Sequence, residues 1–448
     1  MITSPSFALS PTFRADIVQK LLEIVRAGES ASIIGVSGVG KSNLFNHLLN
    51  PAIQQAYTGE KTGASLFICV NFHHLPDFTT RSAYSLILEQ LENPASYATP
   101  DCLPLDQIAR FHEALLDAGE DVLKISRYFK LAIREICANH GRKLVFLFDQ
   151  FDGVFPALEP LFFANLRGLR ESYKYRLSFL LFTRDTLPNL ASLDSAREEF
   201  YELVASNELG LSPYNSADAQ LMLARIAARY QHTFSEALAT QLIEQTGGHG
   251  GMLRAACLAQ IHAGTEKEQA ASLNTLSANP KIIFECEKIW DTLSPEEQEY
   301  LYQLAHHLPA IEQNHARTRL SLKGLLTPTG AIFSSLFTAF LKNQKLAEKP
   351  PIYLDERERL WVNGKLRVLA PLEQKIIAIL WSHRDESAGV SRDKLIVAVW
   401  PQARGGVSNA VIDRQVSRLR AKIEPDPKKP IFIETLRGEG YRLNTLFE

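Results

Sequence analysis

The sequence predicts a multidomain protein of α/β plus α class, with an N-terminal parallel sheet, a helical middle and a small C-terminal unit. Three observations predict it. Apolar strand candidates at Ser32–Val36, Leu66–Phe72, Leu144–Asp149, Leu177–Thr183 and Tyr201–Leu209 are mostly separated by helical stretches. Their nearly continuous apolar character suits parallel strands covered on both faces. Residues 215–280 read as helices, interrupted at Gly247-Gly248-His249-Gly250-Gly251. A polar, proline-bearing stretch, Lys342–Pro351, then sets off a compact C-terminal segment. A chain of 448 residues accommodates roughly two to four domains.

Bulk properties narrow the class. Formal net charge is −2, which excludes a uniformly basic nucleic-acid binder. The balance is uneven: residues 351–448 hold 17 Lys/Arg against 13 Asp/Glu, while the remainder is net −6. A basic end on an acidic body points to a polyanion partner for that end. Cys69, Cys102, Cys137, Cys257 and Cys286 are too dispersed for metal-ligand spacing and read as reduced thiols. No signal-peptide pattern and no apolar run of ~18 residues is evident, so a cytoplasmic protein without membrane contact is expected.

Taken in order, residues 13–28 have helical spacing (Ile17, Leu21, Leu22, Ile24, Val25). Strand Ser32–Val36 runs into Gly35-Val36-Ser37-Gly38-Val39-Gly40-Lys41-Ser42, and a helix follows over Asn43–Asn50. Ser294-Pro295-Glu296-Glu297 is an N-cap with proline at the first helical position. Gly324–Phe333 suits a small hairpin. Val362-Asn363-Gly364-Lys365 is a strong hairpin signal. Helices over 372–384, 391–400 and 408–424 follow, and the chain ends in a second hairpin across Arg437-Gly438-Glu439-Gly440.

Gly35–Ser42 fits G-x-x-x-x-G-K-S in its required place between strand and helix. Gly35, Gly38 and Gly40 let backbone N–H groups curl around a β-phosphate, and Lys41 reaches the β- and γ-phosphates. Ser42 supplies a hydroxyl for Mg²⁺, and the helix N-terminus, with Asn43, adds partial positive charge. ATP or ADP with Mg²⁺ is the expected ligand. Asp149 closes a strand and is expected to serve the metal shell; the alternative is a strand-end aspartate capping a helix. The strand at Leu66–Phe72 implies that the loop strand and the Asp149 strand are not neighbours.

These features resemble the additional-strand P-loop ATPases, including AAA+ proteins. The resemblance implies a polar phosphate sensor at Thr183-Arg184, although Arg184 is equally readable as a surface arginine. Phe13-Arg14 before the first helix, Asp149-Gln150-Phe151-Asp152, and a Gly-Gly-His lid followed by an inner winged helix resemble STAND NTPases. That resemblance places Arg14 with the nucleotide. Arg254 is read either as a lid arginine on the phosphates or as a helix-surface residue. Gly250 departs from the family pattern, which has proline there.

Gln150 stands where ATP-hydrolysing relatives carry a glutamate. An amide cannot accept a proton, but it can orient water. The catalytic candidates are therefore Asp149, Gln150 and Asp152, with Asp152 the carboxylate two residues on. A slow switch follows rather than a motor.

In 408–424, Ile412, Val416, Leu419 and Ile423 form one apolar stripe. Arg414 and Arg418 lie opposite it with Ser417 and Ala421 beside them. This suits either a helix entering a major groove or a solvated charged face. Asp413–Lys422 followed by Ile433–Tyr441 resembles the OmpR-type winged helix across residues 352–446. The resemblance puts Arg414 and Arg418 at the major groove, Arg420 and Thr435 near phosphates, and Arg437 in the minor groove. Ala410 replaces an arginine common in relatives, and no receiver domain precedes the module.

The combined expectation is an additional-strand P-loop sheet over 1–212, a helical lid over 213–283, an inner winged helix over 284–345, a linker at 346–351 and a winged helix-turn-helix over 352–448. It reads as an ATP-dependent transcriptional regulator that binds double-stranded DNA. The resemblances imply a homo-oligomer when ATP-bound and a protein or small-molecule inducer. The rivals are an origin-recognition-like or other DNA-processing ATPase and a defence-type STAND sensor.

Overall fold

A computed structural model describes the chain except for residues 1–8, 60–64, 94–103, 192, 264–271, 309–313, 347–350, 356–358, 363–364, 368, 387, 401–407 and 446–448. It forms two compact units, Met1–Gln344 and Lys345–Glu448.

The first unit is built on five parallel strands: β1 (Ala31–Ile34), β2 (Ser65–Asn71), β3 (Lys143–Asp149), β4 (Leu177–Thr183) and β5 (Glu208–Gly210), in spatial order β2-β3-β4-β1-β5. β4 lies between the loop strand β1 and the Asp149 strand β3, as the presence of β2 implied. Strand pairing aligns Ile34 with Thr183 and Asn71 with Asp149, so the chemistry-bearing ends gather at one edge of the sheet. All seven residues of β4 are buried. Phe146, Phe148, Phe179 and Phe200 pack together on one sheet face, and Phe45 meets Phe182 on the other. Burying such side chains stabilises by about 1.5–3 kcal/mol each relative to exposure.

One strand expectation was wrong. Residues Ser195–Ala205 form a helix, capped by the Asp194 side chain on the Arg197 N–H, and only Glu208–Gly210 is extended. Phe200 and Val204, four residues apart, point into the core from one helical face.

Helices Ser216–Arg229, Glu236–Thr246 and Gly250–His262 make the middle region. The following module contains helices Pro280–Trp290, Pro295–Ala305, Asn314–Leu322 and Ser335–Lys342, with a one-bridge hairpin at Leu326 and Ile332. The boundary expected at 283/284 falls inside helix Pro280–Trp290. Ser294 caps helix Pro295–Ala305 as the sequence announces, and Glu297 returns a bond to the Ser294 N–H, which closes a reciprocal cap. Lys323, 1% exposed, ties this module to the sheet by pairing with Asp185 at 2.6 Å and Glu297 at 2.8 Å. Breaking such a buried pair on one side costs about 3–5 kcal/mol.

The second unit opens with an antiparallel sheet of β6 (Ile352–Leu354), β7 (Leu360–Val362) and β8 (Lys365–Arg367). The predicted Asn363-Gly364 turn lies outside the described residues. Helices Pro371–Ser382, Arg392–Val399 and Asn409–Ile423 follow, then β10 (Ile433–Leu436) and β11 (Gly440–Leu443), which pairs with β9 (Val390–Ser391). Ile412, Val416, Leu419 and Ile423 are buried, as their spacing requires. The Glu424 carboxylate accepts the backbone N–H groups of Ile431, Phe432 and Ile433, fixing the approach to the last hairpin.

Candidate functional site

The first unit contains a cavity of 1180 Å³ where the loop after β1 meets the middle helices. Gly38 and Gly40 have φ of 76° and 104°, values that side chains rarely tolerate. The space is equally restrictive. A Cβ on Gly40 would stand 2.2 Å from the Tyr214 hydroxyl, and one on Gly38 would stand 2.7 Å from the His249 ring. The glycines thus permit both the phosphate cradle and close approach of the middle helices.

Lys41, Ser42 and Asn43 line the cavity at the start of helix Lys41–Leu48. Lys41 Nζ donates to the Gly35 carbonyl. Burial holds its pKa down to about 8, against the pull of Asp152 and Asp149. Asp149 and Gln150 line the same cavity from the end of β3. Burial raises the Asp149 pKa, while the Gln150 N–H at 3.0 Å and Lys41 oppose that. Gln150 sits at φ 57°, ψ 32°, a left-handed conformation that turns the chain sharply into helix Phe151–Val154. Ser42 and Asp149 together offer a hydroxyl and a carboxylate, the hard oxygen donors Mg²⁺ takes alongside phosphate oxygens. Among the described residues no cluster of three His, Cys, Asp or Glu side chains could cage a metal by itself.

Three expected contacts are placed elsewhere. Arg14 does not line the cavity; its guanidinium donates to the carbonyls of Ser212 and Val39 and lies 4.4 Å from the Tyr214 ring centre. It braces the loop from behind. Thr183 is fully buried with its hydroxyl enclosed, and its carbonyl accepts the Gly35 N–H. Asp152 is buried rather than open to the cavity, and Arg184 holds its carboxylate through Nε at 2.6 Å and Nη2 at 2.5 Å. Arg184 itself lines the cavity. So does Arg254, which is exposed on helix Gly250–His262.

Sequence reasoning missed the contacts that fasten the middle helices to the loop. His249 is fully buried; its Nε2–H donates to the Ser37 carbonyl at 2.9 Å, and its Nδ1 accepts the Met252 N–H. Burial holds its pKa down to about 4, so the ring is neutral at pH 7. Gly251 N–H donates to the Gly38 carbonyl at 2.9 Å. Tyr214 accepts from Asn43 at 2.8 Å. The Gly-Gly-His interruption was a visible signal for the first of these. Nothing in the local sequence marked Tyr214.

In the second unit, Arg414, Ser417 and Arg418 are exposed on helix Asn409–Ile423, with Ser417 bonded back to the Asp413 carbonyl. Arg420 differs. It donates to the Ile433 carbonyl and the Thr435 hydroxyl, and it sits 5.6 Å from the Tyr441 ring centre, so it anchors the last hairpin to the helix. Arg437 is exposed at that hairpin's tip.

A family model for the novel STAND NTPase 1 domain matches residues 13–347, three quarters of the chain. The chain belongs to that family. A second model, for the C-terminal domain of transcriptional regulatory proteins, matches residues 364–443. Among curated relatives, the alkaline phosphatase synthesis transcriptional regulatory protein PhoP of Bacillus subtilis is 40% identical over 75 residues, covering 17% of this chain and 30% of its own. The transcriptional regulatory protein AfsQ1 of Streptomyces coelicolor is 39% identical over 82 residues, covering 18% and 35%. The chain thus spans about a third of the length of these relatives. A solved Walker-type ATPase of Pyrococcus abyssi overlays 73% of this chain and 95% of its own at 13% identity, with a TM-score of 0.49. This STAND protein therefore joins a P-loop NTPase domain to a DNA-binding domain of the transcriptional-regulator type. No described helix is long and apolar enough to cross a membrane.

Proposed function

We propose that this STAND protein is an ATP-dependent transcriptional regulator whose slow nucleotide switch controls sequence-specific duplex DNA binding. Lys41 and the loop amides would hold the β- and γ-phosphates of ATP. Ser42 and Asp149 would hold Mg²⁺, which when bound neutralises phosphate charge. Gln150 would orient the attacking water.

The observation that carries the slow-switch reading is the state of the carboxylates. Asp149 is the one carboxylate among the described cavity residues, and the proposed metal role occupies it. Gln150 cannot accept a proton, and Asp152 is engaged by Arg184. A glutamine-assisted site turns over intrinsically at roughly 10⁻⁴ to 10⁻³ per second. ATP would then persist long enough to define a state. Arg414 and Arg418 would read base edges, with Arg437 in the minor groove. Thr435 and Arg420 would stay near the backbone, Arg420 mainly by holding the hairpin. Self-association of the ATP-bound form on DNA belongs to the same proposal.

Single-turnover hydrolysis of labelled ATP, with and without duplex DNA, tests it beside Gln150→Glu and Lys41→Ala. Wild-type turnover on the order of one per hour to one per minute is expected, accelerated by Gln150→Glu and lost in Lys41→Ala. Many turnovers per second stimulated by DNA would sink the switch and favour a DNA-processing ATPase.

A further inference from the structure

The cavity has a second cationic wall that the phosphate loop does not account for. Arg225 and Arg229 stand four residues apart on helix Ser216–Arg229, and Arg254 joins them from helix Gly250–His262. Met222 and Ile226 line the cavity from the same helical face as Arg225 and Arg229, so this wall combines cationic and apolar side chains.

Charge distinguishes the two walls. On the loop side each cation has a protein partner: Lys41 the Gly35 carbonyl, Arg184 the Asp152 carboxylate. Among the described residues, the side chains of Arg225, Arg229 and Arg254 make no hydrogen bond or ion pair. The one carboxylate on the described lining, Asp149, lies beside Lys41. Like charges four residues apart disfavour a helix, so this arrangement gains only if an anion joins it. The guanidinium fork favours phosphate. At 1180 Å³ the cavity also exceeds the ~300–1,000 Å³ usual for one small ligand.

We infer that Arg225 and Arg229, with Arg254, form a second phosphate-binding subsite for a phosphoryl group additional to those held on the loop. It rests on the nucleotide reading above. The phosphoryl group is that of a separate small phosphoanion, because in that reading the loop and Lys41 take the nucleotide's own β- and γ-phosphates.

Isothermal titration of the full chain decides it, with pyrophosphate, ADP and a non-hydrolysable ATP analogue as probes. ADP-saturated wild type is expected to bind pyrophosphate. The Arg225→Ala/Arg229→Ala double variant is expected to bind it at least about tenfold more weakly, as lost charge-assisted bonds require, with ADP affinity changed less than about threefold. The corresponding double lysine variant is expected to recover part of the loss. Pyrophosphate is also expected to bind beside the ATP analogue. If the analogue blocks pyrophosphate and itself weakens in the double alanine variant, the arginines hold the nucleotide's own third phosphate and the inference is overturned. No pyrophosphate binding to ADP-saturated wild type, or binding indifferent to the double variant, overturns the inference. If wild type binds neither nucleotide, the nucleotide reading has failed instead. Pyrophosphate on wild type against the double alanine variant then still decides the subsite.

Discussion

The loop side of the cavity and the exposed face of helix Asn409–Ile423 are both cationic, but they hold their charges differently. In the cavity Lys41 and Arg184 are bonded to protein acceptors, and Arg14 behind the loop is bonded to two carbonyls. On the helix, Arg414 and Arg418 project into solvent, while Arg420 is bonded to the last hairpin and Lys422 to Glu373. A ligand entering the cavity must exchange internal bonds for new ones, which is how a bound phosphate can change the surrounding structure. A phosphate or base edge meeting Arg414 displaces only water. The first region is suited to changing state and the second to reading.

The sharpest way to break this contrast is Lys41→Ala. Nucleotide affinity should fall roughly a hundredfold or more, since the lysine is the proposed charged contact to the β- and γ-phosphates. DNA affinity of the nucleotide-free protein, followed by fluorescence anisotropy, should stay within about twofold because no reading residue is touched. A large loss of DNA binding without nucleotide would mean the loop supports the reader structurally.

Arg414→Ala and Arg418→Ala should each cost about 1–3 kcal/mol on cognate DNA if they contact base edges, with relaxed specificity at one position apiece. Arg420→Ala should weaken all sequences together, because it loosens the hairpin through Ile433 and Thr435. Specificity loss from Arg420→Ala, with none from Arg418→Ala, would reverse the assignment of anchored and reading arginines.

A pH titration of stability probes the fastening between loop and middle helices. An unfolded chain protonates His249 near pH 6.5, while the folded site resists until about pH 4. Between those values the unfolded state binds the extra proton. The stability owed to neutral His249 is therefore full above pH 6.5 and is lost as pH falls toward 4. The loss should be on the order of 3 kcal/mol, at about 1.36 kcal/mol per pH unit. Denaturant midpoints for wild type and His249→Gln should diverge above pH 6.5 and converge near pH 4. Parallel curves would remove the buried imidazole from the account.

Much of this was legible because strong periodicities and one motif carried it. The G-x-x-x-x-G-K-S segment fixed the loop, and continuous apolar runs fixed β2, β3 and β4. The four-three-four spacing fixed the buried stripe of helix Asn409–Ile423. Tyr201–Leu209 misled because its bulky residues favour strands, while the helical pair Phe200 and Val204 and the Asp194 cap lay partly upstream. Site residues were harder to read because their roles depend on contacts distant in sequence. Arg14 meets Ser212 and Val39, and Asp152 meets Arg184 thirty-two residues on. A motif names a side chain, but only the fold shows what it faces.

The smallest expected effect is the most informative about that pair. Arg184 clamps Asp152, so Arg184→Ala should release a buried carboxylate two residues from Gln150. A well-placed general base contributes about 10²–10⁴-fold. Asp152 does not line the cavity, so only a few-fold rise in single-turnover hydrolysis is expected. The opposing effect is loss of a cation near the phosphates, which would weaken ATP binding. A double-mutant cycle with Asp152→Asn separates the two. If Asp152→Asn is silent alone yet cancels the rise in the Arg184→Ala background, Arg184 restrains the acid, and the cavity's internal bonds set the speed of the switch. If Arg184→Ala slows hydrolysis and Asp152→Asn changes nothing in either background, Arg184 acts on the phosphate directly. Its pairing with Asp152 then only parks it, and the contrast with the free arginines of the proposed DNA-reading helix narrows to a difference of partner.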